Sequence, residues 1–339
     1  MEFFADEKIL SLRRLVDAAE KVVLVSHLRP DGDALGSLSS AASYLASVCG
    51  KDVTVLVADD VPEGLSFILD EIPCSPDCSV LGRCDLVVAL DINCLDRAGR
   101  FEQALRECKA PKVLIDHHPN PVNEEFNLVF SCTEVSSACE LQYWILKSLE
   151  NGCVDSIPMK SLTALMCGMT TDTNNFANSV WPSTLQMASE LLAAGVDRDE
   201  LIGRIFNSYR ENRVRAISYF LNRKLVIRGS FAYIVVSAAD RCEFDLRDGE
   251  LEGMVNIPLS IADVKMSATF TEDDGYFRVS IRSKKGVSSN AFARQFFHGG
   301  GHEQASGGRI YFPEDLPDPE AIDAYVCGLA ARFLQENPS

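Results

Sequence analysis

The sequence predicts an α/β protein: a doubly wound, mostly parallel sheet, joined by a helical linker to a smaller α+β domain. Three observations carry this. In the first half, short apolar runs alternate with amphipathic stretches, and strands that alternate with helices pair in parallel. From about residue 183 to 224 the pattern is helical and holds no strand. Beyond that, short β-like runs return. With 339 residues the chain is long enough to bury two cores.

The buried strands of the first domain are read at Val22–Ser26 (VVLVS), Val53–Val57 (VTVLV), Leu86–Leu90 (LVVAL) and Lys112–Ile115 (KVLI). Helical patterns lie between them at Ala34–Val48 and Arg100–Cys108, and helices near 137–150 and 160–169 complete the domain. In the linker, Leu201, Ile205, Val214, Ile217 and Leu221 fall near helical spacing, which predicts one helix or a pair. Strands of the second domain are expected at Phe231–Val236, Val264–Phe270 and Tyr276–Ile281. The boundaries that follow are 1–185, 186–225 and 226–339.

Composition narrows the function. A hydrophobic fraction of 47% and a charged fraction of 24% are ordinary for a soluble globular protein. The N-terminus, MEFFADEKIL, has acids where a signal peptide would carry positive charge, and no apolar run approaches the roughly 18 residues that span a bilayer. A cytoplasmic protein with no membrane partner is expected. Twelve cysteines then read as reduced thiols, most of them buried small hydrophobes. Cys74, Cys78 and Cys84 lie close together, but their spacing fits no zinc pattern and no histidine is near. A net charge of −17 argues against binding long duplex nucleic acid, where neutralising phosphates dominates affinity. The charge is uneven, however. Residues 201–228 hold seven bases and one acid, and residues 276–310 hold six bases and one acid. That balance suits a small or short anionic ligand, although about half of these bases should merely solvate helix faces.

The polar residues of interest follow the apolar runs directly. VVLVS leads into His27, Asp31 and Asp33; LVVAL into Asp91; KVLI into Asp116, His117 and His118. In open α/β sheets ligands bind outside the carboxyl ends of the strands. Alone, the DGD triplet reads as a turn in which Asp33 caps the next helix, and His27 as a structural histidine. Together, so many acids and imidazoles are costly to bury unless they bind something. Asp172, in TTDTNNF, adds a further acid. All five histidines, His298 and His302 included, sit in glycine- or aspartate-rich segments. Four carboxylates and two imidazoles without a thiolate suit two divalent cations. Manganese fits first, then magnesium, cobalt or iron, whereas a closed structural zinc site does not fit.

HLRPDGDALGS, ALDINCLDR, IDHHPN and TTDTNNF resemble, in order, the four motifs of the DHH-family phosphoesterases. RSKKGVSSNAFARQFFHGGGHEQASGG resembles the glycine-rich signature of the associated C-terminal domain, and the layout is similar to the nano-RNase/pAp phosphatase branch. The resemblance implies that His27 and Asp31 hold one metal, that Asp33, His117 and Asp172 hold the other, and that Asp91 bridges them. Asp91, Asp116 and His118 would be catalytic, with His118 facing the substrate phosphate and Asp116 orienting an imidazole. Arg97 would help position substrate. Residues 1–185 would be the catalytic domain and 226–339 the substrate-binding domain, through Arg282, Ser283 and Lys284 (RSK) and Gly299, Gly300, Gly301 and His302 (GGGH). The glycines would let the backbone approach a phosphate. His298 stands where many relatives carry another glycine.

The activity implied is Mn-dependent hydrolysis of oligonucleotides of two to five residues, 3′-5′ or 5′-3′, or of 3′-phosphoadenosine 5′-phosphate (pAp). The attack would come in line from a hydroxide held between the cations, with the second domain closing over the site. The rivals are a pyrophosphatase or exopolyphosphatase on the same core and, from another class, a non-catalytic nucleotide or RNA binder. Oligomeric state is left open, a homodimer being one option.

Overall fold

The expected apolar runs form the middle of a parallel sheet in the computed structural model, which describes residues 3–57 and 61–336. The chain divides into two compact units between Ser208 and Tyr209.

The first unit contains α1 (Asp6–Ala18), β1 (Lys21–Val25), α2 (Gly32–Ser47), β2 (Asp52–Leu56), β3 (Cys74–Ser75), β4 (Leu86–Leu90), α3 (Glu102–Glu107), β5 (Lys112–Asp116), β6 (Leu128–Ser131), α4 (Ala138–Leu149), α5 (Met159–Asp172), α6 (Pro182–Ala193) and α7 (Arg198–Phe206). The sheet order is β3-β2-β1-β4-β5-β6, and every pairing is parallel, with Val22 opposite both Val53 and Leu86. The edge strands β3 and β6 lie outside the runs read from sequence, because two to four residues are too few to show a period.

Both sheet faces are covered, which is why the strands read as unbroken apolar runs rather than alternating ones. Val22, Leu24, Leu86, Val88 and Val113 face a core built with α1, α2, α4 and α5. Val23, Val25, Val87, Ala89 and Leu114 face a second core that includes Leu105 of α3. Helix α2 is buried along almost its whole length and crosses α5 at close range. A Cβ on Gly36 would lie 2.6 Å from the carbonyl oxygen of Ala164 in α5, and one on Gly168 of α5 would lie 2.3 Å from Cys139 Sγ in α4. Only hydrogens at these positions let the helices approach so closely. The same crossing brings the start of α2, which carries Asp33, to the end of α5, which carries Asp172.

The helical stretch expected as a linker is three helices, divided between the units. Met187, Leu191, Leu201 and Ile205 of α6 and α7 enter the first core, whereas Ala216, Ile217 and Phe220 of α8 (Glu211–Arg223) pack in the second unit. Each helix is claimed by the apolar surface nearest to it.

The second unit continues with β7 (Val226–Arg228), β8 (Phe231–Val236), α9 (Ala238–Glu243), β9 (Met266–Asp273), β10 (Tyr276–Ser283), α10 (Ser289–Phe296), β11 (Gly300–Gly301), β12 (Ala305–Tyr311) and α11 (Ile322–Glu336). Its sheet order is β11-β12-β10-β9-β8-β7, antiparallel except for β8 with β9. Strand β9 starts later than expected, since Val264 closes a turn onto Ile261. Phe277, Val279 and Ile281 meet Phe292 of α10, the adjoining Phe297 and Val326 of α11 on one face. Phe220 of α8 and Met254 pack against Ile234 and Val236 on the other.

Among the described residues no helix is long and apolar enough to cross a membrane. The reading of most cysteines as buried is corrected: Cys108, Cys139 and Cys167 are buried, but Cys74, Cys78, Cys153 and Cys242 are exposed and the other five are half-buried. Cys74 lies in a two-residue edge strand and Cys78 opens a surface turn, so the fold offers neither a core to enter.

Candidate metal centre

Three parallel strands end side by side, and each delivers its acid or imidazole to the same edge. β1 leads through Ser26 to His27, β4 ends one residue before Asp91, and β5 ends on Asp116. Asp91 stays in the ladder through its N–H, which donates to the carbonyl of Ile115 at 3.0 Å. Its backbone then turns left-handed, with φ +55°, a strained conformation for a residue other than glycine. That turn places a side chain only 2% exposed among the other groups.

His27 Nε2 lies 3.3 Å from Asp91 Oδ2 and 4.0 Å from Asp31 Oδ1. Its Nδ1 is 2.8 Å from the carbonyl of Leu28. A carbonyl can only accept, so Nδ1 carries the hydrogen and Nε2 presents its lone pair to the acids. His117 Nε2 is 3.7 Å from Asp33 Oδ2, 3.6 Å from Asp91 Oδ1 and 3.8 Å from Asp172 Oδ2. Ligand atoms of His27, Asp31 and Asp91 thus form one group within 4.8 Å, and those of Asp33, Asp91 and His117 form a second. Asp91 belongs to both.

The DGD turn is present, but its cap is the other aspartate. Asp31, not Asp33, caps α2, its Oδ1 accepting the N–H groups of Asp33 and Ala34 at 3.0 and 3.1 Å. Asp33 lies inside the first turn and points at α4, where it accepts the N–H of Ala138 at 2.7 Å and of Cys139 at 2.9 Å. A carboxylate at a helix N-terminus meets both unpaired N–H groups and the positive end of the dipole. Burial and the charge of Asp31 nevertheless push the Asp33 carboxyl up to about 6. Burial, then Asp33, Asp31 and Asp116, push Asp91 well above the usual carboxylate range.

These residues fit divalent cations. Asp91 Oδ1 is buried and accepts no hydrogen bond, although His118 Nδ1 and His117 Nε2 are 3.4 and 3.6 Å away. An orphaned carboxylate oxygen in a crowd of acids is costly unless positive charge meets it. The oxygen- and imidazole-rich donor set matches hard to borderline metals.

His118 is held differently. Asp116, fully buried, takes the His118 Nδ1 hydrogen at 2.8 Å through Oδ1 and its backbone N–H at 3.0 Å through Oδ2. Asp116 thereby fixes the ring of His118 through its Nδ1 side. Arg97 is tied to the same edge: its carbonyl accepts the Leu28 N–H at 2.7 Å, and its Nη1 is 3.4 Å from Asn93 Oδ1.

Sequence reading missed the turn that holds Asp33. Ser137 caps α4 by accepting the Glu140 N–H at 3.0 Å. Glu140, fully buried, accepts through Oε2 from the Ser136 N–H, the Ser136 hydroxyl and the Thr184 hydroxyl, at 2.8, 2.6 and 2.6 Å. Ser137-x-x-Glu140 is a capping-box pattern and was the available signal.

In the second unit the glycines answer first to the neighbouring backbone. A Cβ on Gly299 would sit 1.9 Å from the Gly307 carbonyl oxygen, and Gly301, at φ +142°, would press on Ala305 and Ser306. These glycines therefore let β11 and β12 lie together; Gly300 has more room, its nearest neighbour being 3.4 Å away. Lys284 Nζ donates to the carbonyls of Ile261 and Ala262 at 2.8 and 3.0 Å, and Ser283 Oγ to Val287 at 2.6 Å. Arg282 Nη1 reaches the Ile281 carbonyl at 2.9 Å, and the His302 N–H closes the β11–β12 turn on Ala305 at 2.8 Å. His298 has φ +42°, a region glycine takes at lower cost, and its Nε2 is 3.0 Å from Asp315 Oδ1.

Comparison with known proteins agrees with this layout. The DHH family N-terminal domain matches residues 21–169 and the DHHA1 domain matches residues 229–324. The bifunctional oligoribonuclease and PAP phosphatase NrnA of Bacillus subtilis is 26% identical over 304 residues, covering 88% of this chain and 92% of that protein. A probable manganese-dependent inorganic pyrophosphatase of Streptococcus mutans is 28% identical over 189 residues, covering 53% and 57%. The crystal structure of an exopolyphosphatase-related protein from Bacteroides fragilis superposes with a TM-score of 0.89 at 30% identity, covering 98% of both chains.

Proposed function

Because this chain belongs to the DHH family and carries a DHHA1 domain, we propose that this phosphoric ester hydrolase works with two divalent cations, Mn2+ first among them, on short oligonucleotides or pAp. The observation that carries the two-cation reading is Asp91: buried, shared by both ligand groups, with one oxygen that accepts no hydrogen bond. His27 and Asp31 would hold one cation, and Asp33, His117 and Asp172 the other. When bound, such cations supply water that is acidic near pH 7 and neutralise charge on the phosphoryl group.

The chain's own residues do the rest. The N-terminal turn of α4 fixes Asp33, and the Leu28 carbonyl fixes the tautomer of His27. Asp116 holds Nδ1 of His118, so Nε2 contacts a phosphoryl oxygen or protonates the leaving oxygen. Arg97 helps position the phosphate. Arg282, Ser283, Lys284 and the Gly299–His302 segment supply nucleotide recognition, with main-chain groups and Arg282 leading, since Ser283 and Lys284 also hold their own loop. A substrate of nucleotide class is favoured over pyrophosphate because the similarity to NrnA spans both units, whereas that to the pyrophosphatase covers about half the chain. Twelve unpaired cysteines suit the reducing cytoplasm.

The test is a Mn-supplemented panel of labelled di- to pentanucleotides, pAp, pyrophosphate and polyphosphate, ranked by kcat/KM. Short oligonucleotides or pAp should lead, and Asp91→Ala should abolish turnover in a folded protein. Pyrophosphate in first place, or activity retained without Asp91, would overturn the reading.

A further inference from the structure

Strand β10 presents two unlike faces. Phe277, Val279 and Ile281 enter the core, so Tyr276, Arg278, Ser280 and Arg282 fall on the opposite face, where they are half-exposed. Toward β9 that face is covered, with Thr269 and Thr271 buried. Toward β12 it is open. Across the register Tyr276 stands opposite Tyr311, Arg278 opposite Arg309, Ser280 opposite Gly307 and Arg282 opposite Ala305.

Two arginines directly opposite on neighbouring strands repel each other, and such a pair destabilises a sheet. Their surroundings relieve it only in part, through the pull between Arg278 and Asp273. Arg278 Nη2 is 3.9 Å from Asp248 Oδ1, but that side chain is 79% exposed, so the pair is weak. Arg309 makes no ion pair among the described residues; its guanidinium lies over the Tyr276 ring, 5.1 Å from the centroid, and Nη1 is 3.4 Å from the Tyr311 hydroxyl. The other acid nearby, Asp273, is 4.0 Å from Arg241 and accepts from the Tyr276 hydroxyl. In a chain of net charge −17, an open strip with Arg278, Arg309 and Arg282 on it is complementary to a polyanion. Arg278 and Arg282 are four residues apart, about 13 Å along the strand, too far for one phosphate to bridge. The Tyr276–Tyr311 pair, with ring centroids 5.9 Å apart, closes one end with aromatic surface on which a base can stack.

We propose that the open β10–β12 face, through Arg278, Arg309 and the Tyr276–Tyr311 pair, is a binding track for the body of a single-stranded oligonucleotide longer than two residues. The inference rests on the reading of the substrate as an oligonucleotide and deepens it. Arginine neutralises the phosphates and the tyrosines take a base, so length, not base identity, governs affinity.

The test measures binding of fluorescein-labelled hexa- and dinucleotide RNA to the full chain in EDTA, where hydrolysis is blocked. The hexanucleotide should bind at least tenfold more tightly. Arg278→Gln and Arg309→Gln should each weaken it severalfold and lower the slope of log affinity against log salt by about 0.7 per lost contact, leaving dinucleotide binding unchanged. Arg309→Lys, which keeps the charge, should retain most of the affinity, and melting curves verify folding. Tyr311→Leu should weaken the hexanucleotide but not hexametaphosphate. Equal affinity for both lengths, unchanged binding in the glutamine variants, or equal loss of the dinucleotide would each overturn the proposal. Failure of the functional reading is separate: it appears as no oligonucleotide hydrolysis with Mn2+, whatever the binding.

Discussion

Asp33 Oδ1 accepts the backbone N–H of Cys139 at 2.9 Å, joining residues 106 positions apart at the rim of the candidate metal centre. The start of α2 is thereby held by the start of α4. Asp33→Ala would leave the N–H groups of Ala138 and Cys139 buried without an acceptor, each costing about 1–3 kcal/mol. Urea unfolding in EDTA at about pH 5, where the raised carboxyl is mostly neutral yet still accepts, should show a loss of about 2 kcal/mol or more. Asp33→Asn keeps an acceptor and should lose less stability, yet lose turnover. An alanine variant as stable as the parent would contradict the assignment.

On the proposed reading, His118 and Asp116 serve the chemistry rather than the metals. His118→Ala should lower kcat by about 100- to 10,000-fold while calorimetry still finds Mn2+ bound. Asp116→Asn, which loosens the ring without removing it, should cost about 10- to 100-fold. Loss of Mn2+ in His118→Ala would make His118 a ligand instead.

Close packing of α5 on α2 and α4 supports the candidate site. A Cβ at Gly168 would lie 2.3 Å from Cys139 Sγ and 3.0 Å from Asp33 Oδ1. Gly168→Ala should therefore cost about 1–3 kcal/mol by overpacking and also weaken Mn2+ binding by displacing Asp33. Denaturation and calorimetry on one preparation check both effects; a stability loss with unchanged Mn2+ affinity would limit Gly168 to packing.

In the second unit, burial alone would raise the Asp240 carboxyl, but Lys224 and Ser237 hold it below the usual range. A depressed folded pKa means stability that is present above the unfolded value of about 3.9 and lost as pH falls through the folded one. Asp240→Asn should be less stable than the parent at pH 7, and the gap should narrow below about pH 3.9. A gap independent of pH from 7 to about 3 would remove charge as the cause.

Much of the centre was legible in sequence for one reason: parallel strands expose their carboxyl ends together, so residues just after apolar runs converge. That logic reached His27, Asp31, Asp91, Asp116, His117 and His118 from local pattern alone, and the composition of the set argued for cations. It also placed the four central strands to within a residue or two, because strands buried on both faces read as apolar runs. Three-dimensional contacts decided the rest. Which aspartate of DGD caps α2 depends on where α4 starts, a hundred positions later. Gly299 and Gly301 answer to the backbone of β12, and Cys74 is exposed because its strand is a short edge. The open arginine face exists only through the register of β10 with β12. Local periodicity reports which side of an element meets a core, while partners brought together from distant segments leave no period to read.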